Sequence, residues 1–168
     1  MLKVLFVCTG NICRSPLAEG VFQNMVDKNG LAKQIQCDSA ATHAYHIGAL
    51  ADRRARQTAQ RHGIALTHRA RKLSGDDFAE FDYLVAMDEG HFGIMQNLSY
   101  RSTGFDCNDN LVLYRHFDPQ ADNAEPESKS VPDPYYDDMA AFENVFEIVA
   151  RCGKQFLDFL VEKHKLHL

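Results

Sequence analysis

The opening segment of the chain constrains its fold more than any other part. Leu2 to Val7 is a short, uninterrupted apolar run, which is typical of a parallel strand buried on both faces. Cys8 to Arg14 follows at once and contains Gly10 and Asn11, which tolerate unusual backbone angles, so a loop is predicted there. Ser15-Pro16 indicates the N-cap and first residue of a helix. The chain is therefore predicted to open with a strand, a loop and a helix.

Strands and helices alternate along the rest of the chain. Further strands are predicted at Ile35–Ala40, Asp82–Met87 and Leu111–Tyr114. Such alternation indicates an α/β fold with a parallel sheet, in which ligands bind at the carboxyl ends of strands. The segment Tyr114–Pro134 is rich in proline and acidic residues and is predicted to be a long solvated loop. Helices are predicted over Asp52–His62, from Asp88 onwards, and along an amphipathic pattern from Phe142 to Leu160.

The bulk properties exclude several classes of function. With 168 residues, the chain suits one compact domain spanning 1–168, and its formal charge of −5 disfavours a nucleic-acid partner. The first residues do not resemble a signal peptide, and no apolar run is long enough to cross a bilayer. We therefore expect a cytoplasmic protein without a membrane partner. Free thiols are expected for the five scattered cysteines, which are Cys8, Cys13, Cys37, Cys107 and Cys152.

The loop after the first strand is predicted to bind a phosphate group. Its backbone N–H groups and the helix dipole provide a cradle for an anion, and Arg14 adds a bidentate cation. Cys8 lies at the mouth of this cradle, where positive charge favours the nucleophilic thiolate. Ser15 is placed to hydrogen-bond the sulfur and stabilise it as a leaving group. The alternative, that Cys8 is only a small buried residue at a strand end, does not account for the electropositive setting.

Several blocks of the sequence resemble the low-molecular-weight protein tyrosine phosphatase family. The resemblance implies a four-stranded parallel sheet with helices on both faces, the phosphate loop after the first strand, and no cofactor. It also implies two-step hydrolysis of a tyrosine-phosphorylated protein or small aryl phosphate, with Cys8 as nucleophile and Asp133 as general acid. The matching blocks are Val7–Pro16, Asp38–Thr42, Arg61–Ile64, His68–Arg71, Ala86–Asp88 and Val131–Tyr136.

Asp133 also fits this role on chemical grounds. A departing phenolate, whose conjugate acid has a pKa of about 10, needs a proton from a nearby carboxylic acid. Pro134 holds Asp133 in an extended conformation, outside any helix. Without the resemblance, a simple turn before the last helix would be an equally good interpretation, because Asp-Pro is common in turns.

The resemblance assigns roles to further residues. Tyr45, Tyr135 and Tyr136 would line the cleft and stack on an aryl ring, although ordinary surface tyrosines are the alternative. Asp88 would orient Arg14 through a salt bridge, or would serve only as a helix N-cap. Ser39 and His68, together with Asn11, would support the phosphate loop from behind. The residues expected to contact phosphate are Thr9, Gly10, Asn11, Ile12, Cys13 and Ser15.

Several points stay open at this level. Ala49-Leu50-Ala51-Asp52 replaces the Pro-Pro-Asp segment common in the family, which leaves the shape of that cleft wall undecided. Cys13 would either face Cys8 and form a protective disulfide with its oxidised form, or point into the core. The histidine pairs His43/His46 and His164/His167 lack carboxylate or cysteine partners at ligand spacing, so no metal site is predicted.

Single residues distinguish this chain from proteins with related activities. An arsenate reductase of the same fold needs two further cysteines close together in sequence, and this chain has none so placed. Members of the arginine phosphatase branch tend to carry threonine at the position of Ile12. Phosphocysteine carriers lack the loop arginine, so Arg14 and Asp133 favour hydrolysis over phosphate transport. A catalytically dead phosphotyrosine reader is disfavoured because every expected catalytic residue is present.

Overall fold

A parallel sheet of four strands forms the centre of the protein. The computed structural model describes residues 1–104, 109–122 and 124–168, so Cys107 lies outside the described residues. The strand order is β2-β1-β3-β4, and β1 pairs in parallel with both β2 and β3. This confirms the predicted architecture and places Cys8 at the carboxyl end of a central strand. The strands are β1 (Leu2–Cys8), β2 (Ile35–Ala41), β3 (Tyr83–Ala86) and β4 (Leu111–Leu113).

Helices cover both faces of the sheet, as expected. Side chains of β1 alternate between the two faces: Val4 and Phe6 join the larger apolar core, and Leu5 and Val7 join the smaller one. Among the described residues, none of the helices has the length and apolar character needed to cross a membrane. The helices are α1 (Arg14–Lys28), α2 (Arg53–Arg61), α3 (Asp77–Glu80), α4 (Glu89–Thr103) and α5 (Met139–His164).

The start of α1 differs from the prediction. The helix begins at Arg14 with Cys13 at the N-cap position, so the predicted cap at Ser15 is wrong. Ser15 lies in the first turn instead, and its hydroxyl contacts the sulfur of Cys8 and the amide of Asn11 rather than a helix N–H. Competition from the site for this hydroxyl explains the difference.

The segment between β4 and residues 131–138, here called the acid loop, is only partly the solvated loop that was predicted, because its first residues are folded against the body of the protein. It contains two 3₁₀ turns, Tyr114–Phe117 and Pro126–Lys129. Tyr114 is fully buried, and the carboxylate of Asp118 has no exposed surface. The rings of Tyr114 and Phe117 pack on β1 and α5, and two arginines neutralise Asp118, so this first part belongs to the folded body. The described residues from 119 to 130 are mostly exposed, as predicted for a solvated loop.

Candidate active site

The loop after β1 turns sharply around the sulfur of Cys8. Asn11 adopts the left-handed conformation with φ of 57°, which few residue types other than glycine accept readily. The sulfur lies 3.0 Å from the hydroxyl oxygen of Ser15. Because the Asn11 amide donates to that same oxygen at 2.8 Å, the Ser15 proton is free to point at the sulfur. This arrangement stabilises negative charge on Cys8.

Asn11 supports the loop from beneath rather than facing the cleft. Its side chain is buried, and its amide nitrogen donates to Ser15 at 2.8 Å and to Ser39 at 2.9 Å. Its oxygen accepts from His68 at 2.8 Å and from the backbone N–H of Arg71 at 3.1 Å. The amide of Asn11 therefore has its full set of hydrogen bonds. These contacts hold the left-handed turn in place.

Both ring nitrogens of His68 face hydrogen-bond acceptors. The oxygen of Asn11 faces Nε2, because the Arg71 N–H fixes the orientation of the amide, so Nε2 must donate. Nδ1 lies 3.2 Å from a carboxylate oxygen of Asp38. Burial alone would lower the pKa of His68, but the hydrogen bond to Asp38 and the negative charge of Glu19 outweigh it and raise that pKa. The His68 ring thus connects the loop to the partly buried carboxylates of Glu19 and Asp38.

Glu19 is a member of this network that the sequence did not reveal. Its carboxylate accepts a hydrogen bond from Ser39, and burial raises its pKa. Glu19, Asp38 and His68 are close enough together to be considered as metal ligands. Their facing atoms are already engaged in hydrogen bonds with one another and with Ser39, so this group is better explained as a support for the loop.

Arg14 is held rigidly at the edge of the loop. Its guanidinium is nearly buried and donates to Asp88 at 2.9 Å and to the carbonyl of Val131 at 3.1 Å. Asp88 also accepts from the backbone N–H of His91 at 2.7 Å, so it serves both as helix N-cap and as partner of Arg14. Burial would raise the pKa of Asp88, but the N–H of His91 and the charge of Arg14 hold it below its usual value.

His91 is a second buried residue at the site that sequence reasoning missed. Its Nε2 lies 2.8 Å from the hydroxyl of Thr9 in the phosphate loop. Burial, followed by the positive charge of Arg14, lowers the pKa of His91 to about 4, so the ring is neutral near pH 7. A histidine three residues after an N-cap aspartate carries no sequence signal for this contact.

The loop forms the floor of a cleft of about 400 Å³. Tyr45 and Tyr136 are largely exposed at its rim, and Tyr135 is half-buried with its ring 4.9 Å from that of Tyr136. His46 lines the cleft as well, although the sequence had indicated only a solvated histidine; a side chain at Gly10 would meet its ring at 3.0 Å. The cleft is lined by Cys8, Thr9, Gly10, Ile12, Cys13, Arg14, Tyr45, His46, Asp133, Tyr135 and Tyr136.

Backbone hydrogen bonds shape the cleft wall that carries Tyr45 and His46. Gly48 and Ala49 pair with Ala70, and Leu50 forms an antiparallel bridge with Arg69. Farther along, the N–H of Asp52 donates to the carbonyl of Ile12 at 2.7 Å. The substituted segment after Gly48 is therefore an ordered wall attached directly to the phosphate loop.

The acid loop closes the other side of the cleft. The N–H of Val131 donates to Met87 at the end of β3, at 2.7 Å. The carboxyl of Asp133 is half-exposed, accepts from the N–H of Tyr135 at 3.1 Å and lies 3.6 Å from Arg14. The structure thus brings Asp133 to the same cleft as Cys8, across more than a hundred residues of sequence.

Cys13 lines this cleft together with Cys8, although it is nearly buried. Burial raises the pKa of the Cys13 thiol, and the neighbouring carboxyl of Asp52 adds to the effect. Cys13 is thus a neutral thiol beside the proposed nucleophile, rather than a second thiolate.

The fold and the cleft define this chain as an enzyme of the phosphate-ester hydrolase class. A family model described as low molecular weight phosphotyrosine protein phosphatase matches residues 3–166. The chain therefore belongs to that family, and relatives of this chain are named protein tyrosine phosphatases.

Individual relatives agree with this assignment. The low molecular weight phosphotyrosine protein phosphatase of Homo sapiens is 39% identical over 157 residues, which cover 93% of this chain and 94% of the relative. The structure of a protein tyrosine phosphatase from Entamoeba histolytica, with Hepes in the active site, matches with a TM-score of 0.86 and 31% identity, over 99% and 100% of the two chains. An arginine phosphatase from Drosophila matches with a TM-score of 0.84 and 29% identity, over 94% and 97%.

Proposed function

We propose that this protein hydrolyses phosphotyrosine in proteins, and small aryl phosphates, through a phosphocysteine intermediate at Cys8. One observation carries the proposal: the Cys8 sulfur, the Arg14 guanidinium and the Asp133 carboxyl all line a single cleft above the phosphate loop. Nucleophile, anion-binding cation and acid are the three groups that this chemistry requires.

In the first step, the thiolate of Cys8 attacks the phosphorus, and the bond from phosphorus to the tyrosine oxygen breaks. Asp133 gives its proton to that oxygen, so tyrosine leaves as the neutral phenol. Arg14 and the loop N–H groups hold the equatorial phosphate oxygens, whose charge they stabilise.

In the second step, water attacks the phosphorus and transfers a proton to the Asp133 carboxylate. The phosphorus–sulfur bond breaks, inorganic phosphate is released, and Cys8 returns to the thiolate. The Ser15 hydroxyl, 3.0 Å from the sulfur, stabilises the departing charge. No step needs a cofactor.

The aromatic rim favours an aryl ester over other phosphorylated side chains. Tyr45, Tyr135 and Tyr136 provide ring faces above the loop, and a long aryl ester reaches Cys8 while a short serine ester does not. Phosphoarginine is the second candidate, because a related structure is that of an arginine phosphatase. Ile12 at the cleft floor supports the aryl substrate, since it adds apolar surface beside the ring.

A cytoplasmic location is part of the proposal. The reaction requires a reduced thiol at Cys8, and the cysteines within the described ranges are all free. Compartments that keep thiols reduced suit both facts.

Replacing Cys8 tests the nucleophile. We expect Cys8→Ser to abolish turnover of p-nitrophenyl phosphate while vanadate still binds, because the site offers no base to activate a hydroxyl. Cys37→Ser, which alters a thiol remote from the cleft, is the matched control and should keep full activity. Turnover that survives in Cys8→Ser, or that chelator abolishes in the wild type, would contradict the mechanism.

Replacing Asp133 tests the general acid. We expect Asp133→Asn to reduce kcat/KM for phosphotyrosine by roughly 10²–10⁴-fold. The loss should be much smaller for p-nitrophenyl phosphate, whose leaving group needs less protonation. Equal losses on both esters would remove Asp133 from this role.

Matched peptides test the substrate class. We expect kcat/KM to be highest for the phosphotyrosine peptide, because its ring fills the aromatic rim. The comparison uses the same peptide with phosphoserine or phosphoarginine in its place. A higher value for either of these would refute the assignment.

A further inference from the structure

Positive charge is concentrated on one side of the cleft. Residues 43–72, which include the wall with Tyr45 and His46, contain seven of the 18 lysines and arginines but a single acidic residue. The whole chain, by contrast, has a formal charge of −5. The acid-loop segment 131–138 has three aspartates and no basic residue. The cleft therefore lies between a basic and an acidic surface.

Only part of this positive charge is neutralised within the protein. Arg54 pairs with Asp52 at 3.0 Å, and Arg71 pairs with Asp38 and Asp77 at 3.0 and 3.1 Å. Four other arginines of the segment are exposed, and in the described part of the chain none of them has a carboxylate partner. Arg61 lies in the last turn of α2, whereas the other three lie at the start of that helix or in the cleft wall. These three, here called the basic wall, are Arg53, Arg56 and Arg69.

Two members of the basic wall occupy an unfavourable place in α2. Arg53 is the first residue of α2, and Arg56 is the fourth. Both lie at the positive end of the helix dipole, where cations are disfavoured. The first turn has no acidic residue, and the N-cap carboxylate of Asp52 is bonded to Arg54. Asp52 is the one nearby carboxylate that offsets this charge among the described residues 43–72. Residues placed against local preference are expected at functional surfaces.

The guanidinium groups are held close to the cleft. Arg56 donates to the carbonyl of Ala51 at 2.9 Å, and Arg69 donates to the carbonyl of Gly48 at 2.9 Å. Each guanidinium has further N–H donors beyond this bond. Gly48 lies two residues after His46, and Ala51 directly precedes Asp52, whose N–H is bonded to Ile12. Two or three residues of extended peptide span at most roughly 10 Å, so both carbonyls are near the cleft lining. The cleft-lining residues linked to these segments by backbone hydrogen bonds are Ile12 and His46.

We propose that the basic wall binds aspartate and glutamate side chains that flank the phosphotyrosine of a protein substrate, an inference that rests on the proposed function. The Debye length at physiological ionic strength is about 8 Å, so cations on the wall segments that adjoin the cleft can act on residues next to the bound ring. They would speed the encounter with acidic segments and reject basic ones. Carboxylates match the remaining guanidinium donors in charge and geometry.

Paired peptides test this selectivity. One phosphotyrosine peptide carries glutamate at three positions on each side, and the other carries glutamine at the same positions. We expect the wild type to prefer the glutamate peptide by on the order of tenfold in kcat/KM at low salt, since each exposed pair adds a factor of a few. High salt should remove the preference.

Variants assign the effect to the basic wall. We expect the triple variant Arg53→Gln, Arg56→Gln, Arg69→Gln to lose the preference, and Arg69→Gln alone to lose part of it. Arg61→Gln is the matched control, because Arg61 is exposed in the last turn of α2, about 12 Å along the axis from Arg53. All variants should turn over p-nitrophenyl phosphate at the wild-type rate.

The outcomes separate this inference from the proposed function. Equal values for the two peptides in the wild type, or a preference that survives in the triple variant, would overturn it, as would an equal loss in Arg61→Gln. If the wild type failed to hydrolyse p-nitrophenyl phosphate through Cys8, the proposed function itself would be wrong.

Discussion

Arg115 fastens the acid loop to the body of the protein, and we expect its removal to disturb the position of Asp133. Its Nη1 donates to the carbonyl of Ser130 at 3.0 Å, and its Nε donates to the buried carboxylate of Asp118 at 3.0 Å. Ser130 directly precedes Val131, whose own N–H and carbonyl are both hydrogen-bonded. The substitution Arg115→Met removes both contacts and keeps the apolar stem of the side chain.

The expected loss of stability depends on the hydrogen bonds that Asp118 keeps after the substitution. Asp118 keeps two bonds from Arg151, at 3.0 and 3.1 Å, and one from the N–H of Gln120 at 2.9 Å, so its charge is still compensated. Burial would raise the pKa of Asp118, but these donors hold it below its usual value. We therefore expect a loss of about 1.5–3 kcal/mol in the free energy of unfolding, the range for a hydrogen bond to a charged group.

The substitution Arg115→Met should reduce turnover of phosphotyrosine more than that of p-nitrophenyl phosphate. A displacement of about 1 Å at a reacting group can cost up to about a hundredfold, so we expect kcat/KM for phosphotyrosine to drop roughly tenfold and p-nitrophenyl phosphate to be nearly unaffected. Urea unfolding and the ratio of the two rates are the measurements. Arg151→Met is the matched control: it removes bonds to Asp118 but leaves Ser130 in place, so it should lower stability without changing the ratio. The same ratio in both variants would refute the anchoring role of Arg115.

Three further predictions concern the phosphate loop. Asn11→Ala should lower the free energy of unfolding by about 4 kcal/mol for four lost hydrogen bonds, plus about 1 kcal/mol for the left-handed backbone. Asn11→Gly should lose the same hydrogen bonds but recover the backbone part. Equal losses for the two variants in urea unfolding would argue against backbone strain at this position. Because the pKa of His68 is raised in the folded state, its stabilisation should be complete below about pH 6.5 and lost as pH rises through the folded-state pKa. Urea titrations should show that His68→Gln lacks this loss. Peroxide should convert Cys8 to a sulfenic acid, which condenses with the Cys13 thiol to a disulfide and water. Added thiol should then restore the activity of the wild type but not that of Cys13→Ser. Equal recovery of activity in both proteins would leave Cys13 without a protective role.

Sequence reasoning succeeded where neighbouring residues determine the structure. The apolar run of β1, the residues that permit a turn at Gly10 and Asn11, and the long apolar pattern of α5 all act over a few positions. Periodicity and backbone preference therefore predicted the parallel sheet and the phosphate loop. Boundaries were less accurate, as at Ser15, because the hydroxyl that would cap a helix is bonded to Cys8 instead.

Contacts between distant segments were decided only by the tertiary structure. The burial of Tyr114 and Asp118 depends on Phe156 and Arg151 of α5, which lie more than thirty residues farther along the chain, so local composition alone suggested a solvated loop. The same applies to His46 in the cleft. The sequence by itself determined the phosphate loop, because strand, turn and helix preferences act locally. Only the fold decided which side chains surround that loop, because burial and charge compensation depend on the partners that packing brings together.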